Sequence, residues 1–322
     1  TIGGNLAENA ASHGTFRYGT TRDYVLGLLA VLPDGRVLRT GGRTRKDVTG
    51  YDLTSLLVGS EGTLAVITEA TLRLVPRPAG LRSLLVSLDG PERVGSAVVA
   101  LARSPARPAC IEYLDRHCIR VIESFRPSGL PADAYGVLLV ELEGWPEGLG
   151  SQARAAREAL ERVGAGAVWI DEDGSLRARW WEARKALSPA VARIKPTKIS
   201  EDATVPLDRI GDFLRRLDRI REEHGVELVV FGHAGDGNLH PNILCNEDNP
   251  EEMARVDRAV EAIFTAALEL GGTLSGEHGI GLLKRPYMTR ALDPVTLEAM
   301  RALKRAWDPR NLLNPGKIFP GA

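Results

Sequence analysis

Cysteine is scarce in this chain of 322 residues, and the way it is distributed excludes several kinds of site. The cysteines number three and none forms a CxxC pair; they are Cys110, Cys118 and Cys245. A disulfide framework or a cysteine-based zinc site is therefore not expected. We expect a protein of the reducing cytoplasm.

An excess of one charge and long apolar runs are also lacking. The net charge is −1, and without a block of Lys and Arg the chain is not expected to bind nucleic acid. No apolar run reaches the roughly 20 residues of a transmembrane helix, and the first residues lack a secretory signal pattern. The chain opens on a glycine-rich segment without a starting Met, so we expect it to be part of a longer protein.

The chain contains enough apolar residues for more than one domain, since 43% of it is hydrophobic. Within the first 79 residues, two short runs around Pro33-Asp34-Gly35 predict a β-hairpin over residues 24–39. Residues 64–75 alternate apolar and polar side chains, as a half-buried strand does. Pro76-Arg77-Pro78 marks a boundary.

From residue 80 onward the pattern alternates between strand-like and helical segments. Strands are predicted over residues 81–88, 137–141, 167–170 and 227–231. Helices are predicted over residues 151–163, 207–224 and 251–270, because Ala, Leu and Val recur there at helical spacing. A sheet with flanking helices, in the α+β class, is the expected architecture.

Three of the six histidines lie in two short segments that carry the most specific signal. His233 and His240 flank a turn of Gly, Asp, Gly and Asn, which predicts a hairpin with both rings on one side. Further on, Glu277 and His278 stand between glycines. Two His and one Glu are a common ligand set for a catalytic divalent metal, with coordination positions left for substrate or water.

Two glycine-rich segments could hold an anion or a ring, because glycine lets a ligand approach the backbone closely. The first runs from Gly3 to Ala10, and the second from Gly59 to Leu64. Neither is a GxGxxG or Walker loop, and an ordinary surface turn is the alternative interpretation of each.

Taken together, seven segments in chain order resemble the FAD-linked oxidase family, which has the vanillyl-alcohol-oxidase or PCMH-type fold. Within that family the resemblance is to the branch of D-lactate dehydrogenases and glycolate oxidase FAD subunits. The segments are Gly3-Gly4-Asn5 with Asn9-Ala10; Tyr18-Gly19; residues 48–53; residues 59–64; residues 232–240; residues 276–279; and residues 314–317.

The resemblance implies that residues 1–79 are the later part of an FAD-binding domain, without that domain's N-terminal part. Residues 80–300 would form an antiparallel-sheet cap domain with flanking helices, and residues 301–322 would return to the flavin. The residues then expected around FAD are Gly3, Gly4, Asn5, Asn9, Tyr18, Gly19, Gly59, Glu61, Gly62, Ile67 and Asn314.

The resemblance also implies a reaction, the oxidation of a D-2-hydroxy acid such as D-lactate or glycolate to the 2-oxo acid. His278 would be the general base, and His233, His240 and Glu277 would hold zinc or manganese. The substrate would be bound by Arg184, Asn242 and Lys198. A surface ion pair with Glu182 or Glu201 is the alternative for Arg184.

The partners implied are an electron acceptor (a quinone, a cytochrome or an iron–sulfur subunit) and, as one arrangement, a second copy in a homodimer. Attachment to the inner face of a membrane, without a spanning segment, is compatible with such an acceptor. Three other functions remain open from the sequence. They are a metal-dependent hydrolase without flavin, a non-catalytic remnant of a flavoprotein, and an enzyme that uses FAD without net oxidation, as in ether-lipid synthesis.

Overall fold

The computed structural model describes residues 1–321. The strands in that range are β1 Val25–Val31, β2 Val37–Gly41, β3 Val66–Leu72, β4 Gly80–Leu88, β5 Cys110–Asp115, β6 Gly136–Gly144, β7 Val168–Ile170, β8 Thr197–Ser200, β9 Ala203–Thr204, β10 Glu227–His233 and β11 Asn238–Cys245. The α-helices are α1 Ile2–Glu8, α2 Thr15–Tyr18, α3 Leu53–Leu57, α4 Pro91–Ala102, α5 Arg116–Phe125, α6 Pro146–Arg162, α7 Ser175–Val191, α8 Ile210–His224, α9 Pro250–Glu269, α10 Met288–Ala291 and α11 Pro294–Trp307. No helix in the described part of the chain combines the length and the apolar character needed to cross a membrane.

The chain forms two compact units. Unit 1 comprises residues 1–12, 19–76 and 274–322, and unit 2 comprises residues 13–18 and 77–273. The junction near residue 76 lies at the proline-rich segment. The assignment of residues 1–79, 80–300 and 301–322 to particular domains stays a prediction.

Unit 1 is built on a three-stranded antiparallel sheet of order β2-β1-β3. The hairpin predicted around Asp34-Gly35 is confirmed, with Val31 opposite Val37 next to the turn. The strand predicted over residues 64–75 is shorter than expected, since β3 covers Val66–Leu72. Leu28 and Ala30 of β1 pack with Leu57 of α3 in a small core.

Unit 2 is built on an antiparallel sheet of order β7-β4-β6-β5-β10-β11-β8, with β9 also paired to β11. Side chains alternate along each strand, so the sheet has two buried faces. One face packs with α4, α6, α8 and α9 in the larger apolar cluster. The opposite face is covered by α5 and α7, and its apolar core includes Leu114, Phe231 and Leu244.

The strands and helices predicted in unit 2 are confirmed, with ends shifted by a few residues. The elements not anticipated by the sequence patterns include α4, β5, α5, β8 and β9. β5 lies in the middle of the sheet between β6 and β10. All six of its residues are buried, so it lacks the polar–apolar alternation by which strands are recognised. The three cysteines are free and buried.

A candidate metal and substrate site on the sheet of unit 2

The predicted hairpin that carries His233 and His240 is confirmed as β10, a short turn and β11. His240 lies opposite Phe231, and His233 is two residues further along the same face of β10. The two imidazole centroids are therefore only 5.2 Å apart, with the rings nearly perpendicular at 88°. Gly237 closes the turn at φ 71°, and a Cβ there would stand 2.0 Å from the carbonyl oxygen of Val205, so only glycine fits.

The two rings present one nitrogen each within 4.8 Å of the other, a spacing that a shared cation could span. Both side chains are largely buried, at 12% and 7% exposure for His233 and His240. A third buried side chain, that of Asp202, lies 4.0 Å from Nδ1 of His240. The hairpin therefore holds two of the predicted metal ligands side by side with little exposure to solvent.

Glu112 of β5 is a further member of this site. It lies opposite His233 in the β5–β10 ladder, and its Oε1 lies 2.5 Å from Nδ1 of that ring. Its Oε2 accepts a hydrogen bond from Nε of Arg184 at 2.7 Å. Burial opposes ionisation of Glu112, but the Arg184 guanidinium and the His233 imidazole more than offset this and hold its pKa below the ordinary value.

Arg184, the predicted substrate anchor, is partly buried and not a surface residue. Its partner is Glu112, whereas Glu182 pairs with Arg126, so the surface ion pair offered as an alternative is wrong. The guanidinium also lies over the ring of Phe231, 4.9 Å from its centroid. Since Nε is taken by Glu112, the terminal nitrogens remain as the donors that can meet another carboxylate.

Arg184 belongs to a row of polar side chains by which α7 contacts the sheet, at helical spacings of four, three and four residues. The contacts in order are Arg177 with Glu141, Trp181 with Ser83, Arg184 with Glu112, and Ser188 with Lys198. Trp181 is thus held by a hydrogen bond and packing. The row aligns α7 over the strands that carry the histidines.

The two remaining predicted substrate ligands differ in their position relative to the histidines. Asn242 lies two residues after His240 on the same face, as predicted, and is fully buried. Its Nδ2 donates to the carbonyl of His240 at 2.7 Å, while its Oδ1 has no hydrogen-bond partner among the described residues. Lys198 is two residue pairs further along the β8–β11 ladder, opposite Leu244, and its Nζ donates to Ser188 at 2.9 Å.

Unit 1 carries Glu277 and His278, which follow one another in a loop. His278 Nε2 lies 3.8 Å from Glu277 Oε1, and the His278 side chain is much the more exposed of the two. The loop is tied down directly afterwards, because Glu61 accepts the backbone N–H groups of Ile280 and Gly281. Of the four predicted metal ligands and base, His233 and His240 thus lie side by side in unit 2, and Glu277 and His278 lie side by side in unit 1.

Several residues predicted to surround FAD also cluster in unit 1. Asn314 donates from Nδ2 to the carbonyl of Glu61 at 2.6 Å, and a Cβ on Gly62 would come within 2.9 Å of that nitrogen. A Cβ on Gly59 would come within 3.0 Å of Asn9. Residues near both ends of the chain thus meet around the segment 59–62.

Of the other predicted FAD residues, all except Tyr18 also belong to unit 1. Gly3, Gly4 and Asn5 are part of α1, so the turn considered for them is wrong, because Thr1 caps a helix there. Tyr18 belongs to unit 2, where its hydroxyl bonds to Glu143. Gly19 is in unit 1 with φ 81°, and Ile67 packs in the small sheet of that unit.

Glu112 and Asp202 are the two site residues that sequence reasoning did not identify. A signal for Glu112 was present, because it is the only charged residue in the apolar run from Ala109 to Leu114. A lone carboxylate in a buried run must have a partner, which marks it as a candidate for a site. Asp202 follows Glu201 in a short polar stretch, where nothing distinguishes a buried acid from a solvated one.

Solved structures with low sequence identity share this fold. p-Cresol methylhydroxylase with substrate bound superimposes with a TM-score of 0.76 at 16% identity, over 98% of this chain and 68% of that one. 4-Ethylphenol oxidase from Gulosibacter chungangensis gives a TM-score of 0.74 at 18% identity, over 100% and 70%. The predicted PCMH-type α+β fold is confirmed.

Sequence comparison identifies the class of protein. Residues 77–318 match the family described as FAD linked oxidases, C-terminal domain, and residues 1–41 match an FAD binding domain. Such a protein is an FAD-linked oxidoreductase. The chain belongs to the FAD-linked oxidase family, as the resemblance of its motifs implied.

Curated relatives cover nearly the whole chain. Glycolate oxidase subunit GlcD of Bacillus subtilis is 43% identical over 319 residues, which are 99% of this chain and 68% of the relative. The protein of the same name from Escherichia coli K12 is 37% identical, with 64% of its length covered. D-Lactate dehydrogenase of Archaeoglobus fulgidus is 36% identical over 326 residues, with 69% covered. The chain thus spans about two thirds of these relatives.

Proposed function

We propose that this chain forms the substrate-oxidising part of an FAD-dependent enzyme that converts a D-2-hydroxy acid to the 2-oxo acid. The relatives named for glycolate and D-lactate support the substrate class. The observation that carries the proposal is the buried constellation on one face of the unit 2 sheet. There, two histidines stand beside an arginine that has donors left for a carboxylate.

The donor set of the hairpin fits a divalent metal. His233 and His240 each offer an imidazole nitrogen, and Glu277 is proposed as the third ligand with zinc or manganese as the metal. When bound, the metal would polarise the substrate hydroxyl and lower its pKa. Asn242 is proposed to add a hydrogen bond from the same strand face as His240. Lys198, held by Ser188, is the weakest of the proposed substrate ligands.

His278 is proposed as the general base that takes the hydroxyl proton. An imidazole titrates near neutral pH, and this side chain is open enough to exchange protons with solvent. Arg184 would orient the substrate through its carboxylate, and its fixed Nε contact with Glu112 limits the rotation of the guanidinium. In this proposal the chain's own residues bind the substrate, orient it and remove its hydroxyl proton.

The residues of unit 1 fit the requirement of a flavin for close approach to the backbone. The Cβ positions of Gly3 and Gly50 have no atom within 4 Å, so a planar group can reach the main chain there. When bound, FAD supplies the hydride acceptor, N5 of its ring. The electron acceptor that would reoxidise it is proposed to be a quinone, a cytochrome or an iron–sulfur protein.

Anaerobic stopped-flow reduction of the flavin-loaded protein by a panel of D-2-hydroxy acids tests this function. We expect bleaching of the flavin bands by at least one of D-lactate, glycolate and D-2-hydroxyglutarate. His278→Ala should abolish bleaching while the flavin stays bound. The matched control is His224→Ala, at the end of α8. The flavin of this variant should be reduced at the wild-type rate.

The outcomes separate the functions left open by the sequence. Stoichiometric flavin that no hydroxy acid reduces would contradict the proposal and favour a non-catalytic remnant or an enzyme without net oxidation. Normal flavin reduction in the His278→Ala variant would be consistent with the proposed reaction but would show that His278 is not its base. The flavin-free hydrolase is disfavoured by the matches to FAD-linked families.

A further inference from the structure

We infer that Glu112 is a positioning residue that couples the proposed metal ligand His233 to the proposed substrate anchor Arg184. The inference rests on the proposed function of the site and adds a residue to it. The side chain of Glu112 is 1% exposed and lies on the central strand β5, directly opposite His233 in the ladder. A carboxylate in that position acts on two functional groups at once.

Its first action is on the tautomer of His233. An ionised carboxylate can only accept hydrogen bonds, so the 2.5 Å contact places the imidazole proton on Nδ1. The lone pair of the neutral ring is then on Nε2, which becomes the nitrogen available to a metal. A carboxylate behind a histidine ligand also fixes the plane of the ring and makes it a stronger base.

Its second action is on the direction of Arg184. Oε2 takes the Nε–H of that guanidinium, and the ring of Phe231 supports its face. The planar fork is therefore held by one edge, with the terminal nitrogens as its remaining donors. Because one carboxylate serves both groups, a shift of β5 would move the metal ligand and the substrate anchor together.

The chain contains a matched control for this residue on the same face of the sheet. Glu141 of β6 is also buried, at 8% side-chain exposure, and its Oε2 lies 2.5 Å from Nε of Arg177 on the same helix α7. Among the described residues, the Glu141 side chain is bonded to Ser83 and Arg177, neither of which is a histidine. Loss of either carboxylate leaves a partly buried arginine without its ion-pair partner, but only loss of Glu112 affects a histidine.

The test is titration of the FAD-loaded, metal-free protein with Co²⁺ alone, followed by calorimetry and by the visible spectrum of the bound ion. We expect Glu112→Gln to weaken Co²⁺ binding by about 10- to 100-fold. Glu141→Gln should bind as the wild type does. Long-range ¹H–¹⁵N spectra of His233 should show the Nδ1–H tautomer in the wild type and a mixture in Glu112→Gln.

A second variant keeps the test decisive if Glu112→Gln folds poorly. In the double variant Glu112→Gln/Arg184→Met the unpaired guanidinium is also gone, and Co²⁺ binding should still be weakened. Unchanged affinity and an unchanged His233 tautomer in a folded variant would overturn the inference. If the wild type itself binds no Co²⁺, the proposed metal site fails first, and the tautomer measurement still decides the role of Glu112 toward His233.

Discussion

Glu61 accepts the backbone N–H of Gly281 at 2.8 Å, across 220 positions of sequence. The other oxygen of the same carboxylate accepts the neighbouring N–H of Ile280 at 2.7 Å. The loop that carries Glu277 and His278 therefore ends on a fixed point. Gly279 fits closely there, because a Cβ on it would stand 2.1 Å from Oε2 of Glu8.

We predict that Glu61→Ala loosens this loop. Each hydrogen bond to a charged group contributes about 1.5–3 kcal/mol, so exchange of the Ile280 and Gly281 amides should accelerate by roughly 10-fold or more. Glu61→Gln retains one acceptor oxygen, so its amide exchange rates should lie between those of the wild type and those of Glu61→Ala. Hydrogen exchange read by mass spectrometry or NMR measures this, with exposed Glu69→Ala as the control from the same unit. Equal protection in Glu61→Ala would show that the loop is held by other contacts.

Removal of the proposed metal should stop flavin reduction without releasing the flavin. We expect chelator-treated protein to be reduced at least about 100-fold more slowly, because the substrate hydroxyl keeps its high pKa. Zinc or manganese should restore the rate. His240→Ala should lower the bound metal measured by mass spectrometry, whereas His224→Ala should not. Full activity of a protein shown to be metal-free would refute metal assistance.

The turn between the two metal-site histidines should not tolerate a side chain at Gly235. A Cβ there would come within 2.9 Å of Cγ of Phe16, in the short helix α2 that belongs to unit 2. We predict that Gly235→Ala destabilises the protein by about 1–3 kcal/mol through overpacking. Phe16→Leu should recover part of the loss when combined with it.

Urea unfolding measures the stability of Gly235→Ala alone and of Gly235→Ala combined with Phe16→Leu. The control is Gly148→Ala in α6, where a Cβ would meet no atom within 4 Å. That change should be neutral or stabilise by up to about 1 kcal/mol, since alanine is the better helix former. Equal effects at the two glycines would contradict the packing of Phe16 on the hairpin turn.

Unit 1 depends on a buried ion pair between Lys304 and Asp308. The ammonium donates to Asp308 at 2.6 Å and to the carbonyls of Thr63 and Leu313 at 2.9 and 2.8 Å. We predict that Lys304→Met costs about 3–5 kcal/mol, because it leaves a buried carboxylate unpaired. Asp34→Asn, which breaks an exposed pair with Arg36, should change the stability far less, because solvent screens that pair.

The ion pair between Lys304 and Asp308 also predicts how the stability of the fold depends on pH. Burial opposes ionisation of Asp308, but Lys304 and the N–H groups of Leu313 and Leu312 outweigh it and hold its pKa below the ordinary value. A carboxyl with a lowered pKa stabilises the fold above its unfolded pKa of about 3.9 and loses that contribution as the pH falls through its folded pKa. The free energy of unfolding of Asp308→Asn should therefore differ most from that of the wild type at pH 7. The difference should become progressively smaller below about pH 4. A constant difference in urea midpoints from pH 7 to 3 would contradict this.

The histidine hairpin could be predicted from local sequence because both of its determinants are local. A glycine-rich turn between apolar runs predicts two paired strands, and period-two alternation then places His240 and Asn242 on one face. The pairing of His233 with Glu112 could not be predicted, since it spans 121 positions and depends on the neighbours of β5 in the sheet. The missed strand and the missed residue have one cause, because β5 is buried on both faces.

The sequence alone determined the chemistry available to this protein, namely its imidazoles, glycine-rich segments and family motifs. Side-chain type and short-range spacing are written directly in the chain. Tertiary structure alone decided which partner each charge has, as with Arg184, which pairs with Glu112 and not with Glu182. The reason is that a buried charge must find its counter-charge wherever the order of strands and the packing of α7 place one, and strand order is set by contacts distant in sequence.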